Sequence, residues 1–518
     1  MKVSKIIFGS VIALMFGLFS FVLYKSYLMH FSAFGCFDEC FNYVAGHYIL
    51  KGRNLYSEIF FNHQMLMAYL SWFIQKILKP DSIYYLVLEH RMFVFFFGLI
   101  MSVLIALRFR LAGVGFAFLF ESTKFYFMGS LFLAESVLVY PLVYLFGLVW
   151  QKINGKKLTV LDYLASALFS WFILFLREPM FFVVVFLYFL INFDKSIHKA
   201  KVFSLVLFLI LSLLTISLTS FADYVYQVVF VNASSVFPSE VKSYENGLSM
   251  LFKSFFYQIL ILIDGKWTFI REIMIGIDII FLVSMAIFYL KRGRKRMIYI
   301  LFIILGLANL RMVTPGQMFY ESFHMLPWYG LFIIATFFLL QDIYGLINRK
   351  LTFLLTGALI VLIAYSLFSQ RAFLHGTIDR NESFKLNFDH YYIYGQTIKY
   401  LAEPTDTIFV EGGWDDLIYW QADLQPSYKY VIYGAGGKNF PLFSEERISM
   451  FKKNPPEFYY SLHEKGVHPF GFLPEFSRDM YTELLYVDKP SGLYIKKSKI
   501  DLITDEQWRK INVLRFYL

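Results

Sequence analysis

The 518-residue chain is 58% hydrophobic and 21% aromatic, and only 17% of it is Asp, Glu, Lys or Arg; a soluble domain carries about 25% charged residues. With a mean hydropathy of +0.56, this composition points to a membrane protein and away from a soluble enzyme. The net charge of +10 does not mark a nucleic-acid partner, because many of the Lys and Arg fall in short loops between apolar runs.

The first apolar run covers 6–28 and follows Lys2 and Lys5, which hold that end in the cytoplasm. It is too long for a signal peptide and no small-residue cleavage site follows, so it reads as a retained anchor. The next segment, 29–83, is then external. It carries Asp38-Glu39 within a few residues of the lipid surface, where carboxylates are costly and usually functional. Within it, His63 to Leu78 reads as amphipathic or shallowly embedded, since Gln64, Gln75 and Lys76 punctuate it. Further spans are expected at 84–107, 111–128, 132–150, 159–176, 179–193, 202–222, 272–290, 297–313, 322–341 and 351–369. At Arg177-Glu178-Pro179, charge and proline break a long apolar run. Two short helices meeting at the outer face fit this break; one kinked helix would reverse the sidedness of all that follows.

Alternate loops hold Arg108-Phe109-Arg110, Lys152 to Lys157, Lys195 to Lys201, Lys291 to Arg296 and Arg349-Lys350. All fall on the side of Lys2 and Lys5, as the positive-inside rule requires for eleven spans. A second external segment, 223–271, contains Pro238, Glu240 to Glu245 and apolar Leu251–Ile263, and reads as a loop plus an interfacial helix. From about 370 to 518 the composition turns soluble. There Tyr391 to Leu401 reads as an amphipathic helix, Thr407–Val410 as a strand, Gly412-Gly413 as a turn, Asp415 to Gln421 as a short helix and Tyr428 to Tyr433 as a second strand. The expected fold is a polytopic α-helical membrane protein, with a transmembrane domain at 1–369 and a small extracytoplasmic α/β domain at 370–518.

Several motifs share an order and a side. Phe37-Asp38-Glu39 precedes Gly52-Arg53-Asn54-Leu55-Tyr56 and Asn62-His63. Arg91 sits at the outer end of the second span and Glu135 at the outer start of the fourth. Phe323-His324-Met325-Leu326-Pro327 opens a late span, and Gly412-Gly413-Trp414, Trp420 and Asn454-Pro455-Pro456 punctuate the tail. Together these resemble the GT-C superfamily of integral-membrane glycosyltransferases, in its protein O-mannosyltransferase and aminoarabinose-transferase branch. Gln64 and Met65 stand where that family places proline. The resemblance implies an inverting transferase at the plasma membrane, using a polyprenyl-phosphate sugar donor and a glycan, lipid or protein acceptor. In such a reaction a carboxylate removes the acceptor proton, a role that falls to Asp38. Glu39 would orient the acceptor or help bind a divalent cation, if one is used; no cofactor is otherwise implied. A cation must neutralise the leaving phosphate, and Arg91, Arg177 and Arg311 all lie near outer helix ends. His63, His324 and Glu135 complete the candidate site.

Each residue also has a plainer reading. Asp38-Glu39 can be a solvated loop pair, Arg91 can snorkel to the interface, and Arg177-Glu178 can be a local ion pair. Glu121 and Lys124, three apart on one helical face, read as a structural pair. A lone histidine is often simply hydrogen-bonded. Cys36 and Cys40 bracket the acidic pair and read as two buried thiols, adjacent helical turns being poorly placed for a bridge. Two other classes compete: a lipid-linked glycan polymerase or ligase, and a transporter, which would place ionisable residues near the bilayer midplane.

Overall fold

A computed structural model describes the whole chain except residues 1, 37, 194–198, 233–254, 258, 259, 261, 263–267, 293, 294, 311–321, 345, 347, 348, 412–415, 433–439 and 462–471. In chain order the helices begin with α1 (Lys2–His30), α2 (Asp38–Leu50), α3 (Leu66–Leu78), α4 (Ile83–Phe109) and α5 (Leu111–Thr123). Next come α6 (Ala134–Ile153), α7 (Val160–Leu174), α8 (Phe181–Asn192) and α9 (Lys199–Ile216). A helical turn at Phe221–Tyr224 runs into a π-helix, Val225–Val231. Beyond it lie α10 (Phe269–Arg292), α11 (Lys295–Ala308), α12 (Leu326–Ile343) and α13 (Arg349–Phe368). The tail holds α14 (Arg380–Leu401), β1 (Thr407–Glu411), α15 (Leu417–Ala422), β2 (Gln425–Pro426), α16 (Pro441–Lys453), β3 (Phe458–Ser461), β4 (Tyr481–Tyr486), β5 (Lys489–Lys496), α17 (Asp505–Val513) and β6 (Phe516–Tyr517).

A helix stands at each of the eleven expected positions, but they differ in reach. Among the described residues, seven helical segments are long and apolar enough to cross a membrane, those of α1, α4, α6, α9, α10, α12 and α13. The helices α5, α7, α8 and α11 have only 13, 15, 12 and 14 residues. At about 1.5 Å per residue they extend about 18–22 Å, short of a core about 30 Å thick. The expected break at Arg177 is present: α7 stops at Leu174, and α8 resumes after a 3₁₀ turn at Glu178–Met180. The start of α7 is fixed by a capping box in which Thr159 accepts from the Asp162 amide and Asp162 from the Thr159 amide.

The chain divides into two compact units, and these cut across the linear division at residue 369. One comprises 1–31, 91–215 and 242–379; the other comprises 32–90, 216–241 and 380–518. In the first unit α12 is the central helix, almost wholly buried and packed by α5, α6, α10 and α11. Its Gly330 lets Val139 of α6 approach so closely that an added Cβ would lie 2.4 Å from a Val139 methyl. By contrast, α9 and α13 expose Phe203, Leu213, Leu214, Phe353, Leu354 and Val361. Rows of exposed large apolar side chains on long helices suit lipid rather than water.

The second unit carries a six-stranded sheet in the order β2-β1-β3-β5-β4-β6. β1 runs parallel to β2 and β3, whereas β5 pairs antiparallel with β3 and β4, and β6 antiparallel with β4. Phe409 and Tyr459, opposite each other in the register, face Phe451 of α16 at 6.0 and 5.6 Å between ring centres. Tyr460 points to the other face, where Tyr394 of α14 packs at 5.2 Å. One expected element is replaced. Instead of the expected strand over Tyr428–Tyr433, whose last residue lies outside the described residues, β2 is the two-residue Gln425–Pro426, and Val431 forms an isolated bridge with Ile59. Tyr428 and Tyr430 are core residues packed with Phe443, and this burial accounts for their apolar pattern. The expected turn at Gly412-Gly413 and the segment with Pro238 and Glu240 to Glu245 lie outside the described residues.

Candidate functional site

Asp38 and Glu39 open α2 and share its first turn, but they meet different surroundings. The Asp38 side chain keeps 27% exposure, and its Oδ2 lies 3.8 Å from Nε2 of His63. The rings of Phe41 and Phe61 stand edge-on to His63 at 5.8 and 5.9 Å, and the Tyr56 hydroxyl donates to the His63 carbonyl at 2.8 Å. The pair is therefore an accessible carboxylate beside an imidazole held by two aromatic edges. Glu39 is fully buried and accepts from the Tyr43 hydroxyl at 2.9 Å. It is placed to brace α2, and Asp38 is the member of the pair that solvent can reach.

A polar chain fixes α2 against α3. Gln75 donates through Nε2 to the Tyr43 carbonyl at 2.8 Å and to the Ser71 hydroxyl at 3.0 Å. Ser71 in turn meets His90 Nε2 at 2.9 Å. The other ring nitrogen of His90 donates to the Leu86 carbonyl at 2.7 Å, so Nε2 is the acceptor. At its far end α2 is tied to the tail: His47 and Lys51 reach Asp423 at 3.2 and 2.6 Å, and the Tyr48 hydroxyl donates to the Leu424 carbonyl. Burial pushes the Asp423 carboxyl up. Hydrogen bonds from His47 and Lys51, with the Lys51 charge, outweigh burial and hold it well below the usual carboxylate range.

Cys36 and Cys40 are not thiols; a disulfide joins them. The expectation assumed that both lie on one helix. Cys36 precedes α2, and the two Cα atoms are 5.5 Å apart, within the range a disulfide spans.

In the other unit, three residues far apart in sequence come together. Glu135 starts α6, Arg177 precedes the 3₁₀ turn before α8, and His324 lies just before α12. Arg177 Nε donates to Glu135 Oε1 at 2.9 Å, and His324 Nδ1 donates to the same oxygen at 2.8 Å. All three are buried. Arg91 is also buried and donates to the Phe31 carbonyl. Arg311 lies outside the described residues.

Glu121 and Lys124 form a buried pair at 2.6 Å, with Tyr140 bridging them: Lys124 donates to its hydroxyl at 2.6 Å, and Tyr140 donates to Glu121 at 2.5 Å. The sequence signal for Tyr140 was absent, since one Tyr among 37 attracts no notice. Asp278 was also missed. It lies inside α10, fully buried, and neither carboxyl oxygen has a hydrogen-bond partner among the described residues. Its signal was an acid in the interior of the apolar run 272–290, six residues beyond Glu272 at its edge. Among the described residues, no three His, Cys, Asp or Glu side chains gather as a metal-ligand set.

No protein-family model matches the chain. No curated protein sequence matches it either.

Proposed function

We propose that the chain is an inverting glycosyltransferase that moves a sugar from a polyprenyl-phosphate donor to an acceptor on the outer face of the plasma membrane. The supporting observation is the partly exposed Asp38 carboxylate at the head of α2, 3.8 Å from His63. An acceptor hydroxyl attacking the anomeric carbon must lose its proton, and an accessible carboxylate can take it. The bond from the anomeric carbon to the phosphate oxygen breaks as the new glycosidic bond forms, and polyprenyl phosphate leaves. A single displacement inverts the anomeric centre. Buried Glu39 holds α2 through Tyr43 and keeps Asp38 at its post. Arginine neutralises the leaving phosphate. Among the arginines near outer helix ends, we assign the phosphate role to Arg91. His324 steadies Glu135.

The donor follows from the same residues. The loops with the basic clusters are short, and none carries a glycine-rich phosphate loop followed by a helix. A prenyl chain among Phe-rich helices gains about 0.8 kcal/mol per buried methylene. The purified protein is therefore expected to turn over a polyprenyl-phosphate sugar and not a sugar nucleotide, and Arg91→Ala should lower turnover more than Arg177→Ala. Turnover with a nucleotide sugar in the absence of lipid would sink the reading; equal losses in the two arginine variants would remove only the choice of Arg91.

A second reading, a polytopic transporter, is favoured by one observation: the buried Asp278 within α10. Acids inside membrane helices often mark ion or proton paths. Under glycosyl transfer, Asp278→Asn keeps donor turnover. A folded Asp278→Asn protein without turnover would bring that acid into the mechanism.

A further inference from the structure

The chain has two cysteines in 518 residues, and both sit at the start of α2, bracketing the acidic pair. The bridge they form spans a sequence separation of four. A bridge gains more entropic stabilisation from a long loop than from a short one, so this one is poorly placed to hold the whole fold. Its effect is local. Cys40 is 2% exposed and anchored in the core, whereas Cys36 and Asp38 are half-buried. Upstream, the Ser32 carbonyl is held by Ser383 and Asn387, both at 2.7 Å. The bridge supplies the second anchor, and Asp38 lies between the cysteines.

Without that anchor Asp38 is the first residue of a helix. First turns have no intrahelical partners for their amides, and they fray. A frayed turn loses the 3.8 Å approach of Asp38 to His63. Buried Glu39 and Cys40 would keep the rest of α2 in place.

We propose that Cys36 and Cys40 are positioning residues, whose disulfide holds Asp38 in its working geometry and makes the activity depend on oxidation at this one site. This rests on Asp38 being the base. Formation of the bridge takes two electrons and two protons from the thiols, accepted by an oxidant of the thiol–disulfide exchange class. Reduction by a dithiol returns them and leaves two thiols. Cys36 is half-exposed, so such reagents can reach it.

The test uses full-length protein in detergent, oxidised or treated with dithiothreitol. Alkylation followed by mass spectrometry should add no label before reduction and two labels after it. Hydrogen–deuterium exchange should rise on reduction in peptides covering 36–42 and stay unchanged elsewhere. Donor turnover should fall about 10²-fold, the scale of a lost general base, with the donor KM unchanged, and should return on reoxidation. The Cys36→Ser/Cys40→Ser protein should show the same low turnover and ignore the reductant. Free thiols in the isolated protein, or full turnover and unchanged exchange after complete reduction, would overturn the proposal. So would a loss of turnover accompanied by exchange rising throughout the protein, since that is general scaffolding. Local exchange without turnover under any condition would overturn the glycosyltransferase reading and leave the positioning role of the bridge standing.

Discussion

At the scale of single residues, two carboxylates make opposite predictions. Asp38 is accessible and makes a long contact with His63, so Asp38→Asn should leave folding intact. Turnover should fall by about 10²- to 10⁴-fold, the usual worth of a general base. Near-normal turnover with an unshifted melting temperature would exclude Asp38 as the base. Glu135 is buried between Arg177 and His324. Removing one member of a buried pair strands the other charge, at about 3–5 kcal/mol. Glu135→Gln should therefore melt early, and Glu135→Gln/Arg177→Met should recover part of the loss; a double variant no more stable than the single one would show that the pair is not the source. Asp38 is legible in sequence because charge is rare so close to a membrane span. Its difference from Glu39 is not legible, because burial depends on Tyr43 and on the helix packed behind it. The convergence of Glu135, Arg177 and His324 was hidden too: each looks like a lone polar residue until the helices bring them together.

At the scale of elements, α2 is held by contacts that only its neighbours reveal. It packs on α3 through Gly46, where an added Cβ would lie 2.6 Å from the Trp72 amide nitrogen and 2.7 Å from the Ser71 hydroxyl. The first neighbour is backbone and cannot rotate away. Gly46→Ala should separate the two helices at a cost of about 1–3 kcal/mol, seen as an earlier thermal transition; an unchanged transition would mean that the pair relaxes freely. The other end of α2 carries a pH dependence. Asp423 has its folded-state pKa lowered by His47 and Lys51 against the push of burial. A lowered acid contributes stability that is complete above its unfolded value, about 3.9, and is lost as pH falls from there toward the folded value. The thermal transition should thus move to lower temperature as pH falls below about 4, and Asp423→Asn should flatten that fall. Helix α14 and strand β1 were legible from amphipathic and β-branched runs. β2 was not, because a two-residue strand has no period. The apolar run from Tyr428 belongs to a core cluster with Phe443 and Met450.

At the scale of the whole molecule, the number of helices that cross sets the side of every loop. Of the eleven expected spans, seven are long enough among the described residues and four are short. Both counts are odd, so both place the tail opposite the N-terminus, and a reporter fused after Ser369 reads the same for either. The loops between decide. With seven crossings by α1, α4, α6, α9, α10, α12 and α13, the basic runs Lys152 to Lys157, Lys195 to Lys201 and Lys291 to Arg296 would all face outward. With eleven, every basic cluster faces the cytoplasm with Lys2 and Lys5, as the positive-inside rule expects. Two of the short helices are lengthened by 3₁₀ turns, α5 by Lys124–Phe127 after it and α8 by Glu178–Met180 before it. A locally thinned bilayer accommodates such a mismatch at a modest cost. The discriminating site is Gly155, in the turn between α6 and α7, where φ is +81° and an added side chain would meet open space. A reporter active only outside the cytoplasm should be silent when fused after Gly155 and active when fused after Ser369. Activity at Gly155 would reduce the count to the seven long helices and place Glu135 inside but His324 outside, at odds with the 2.8 Å contact between them.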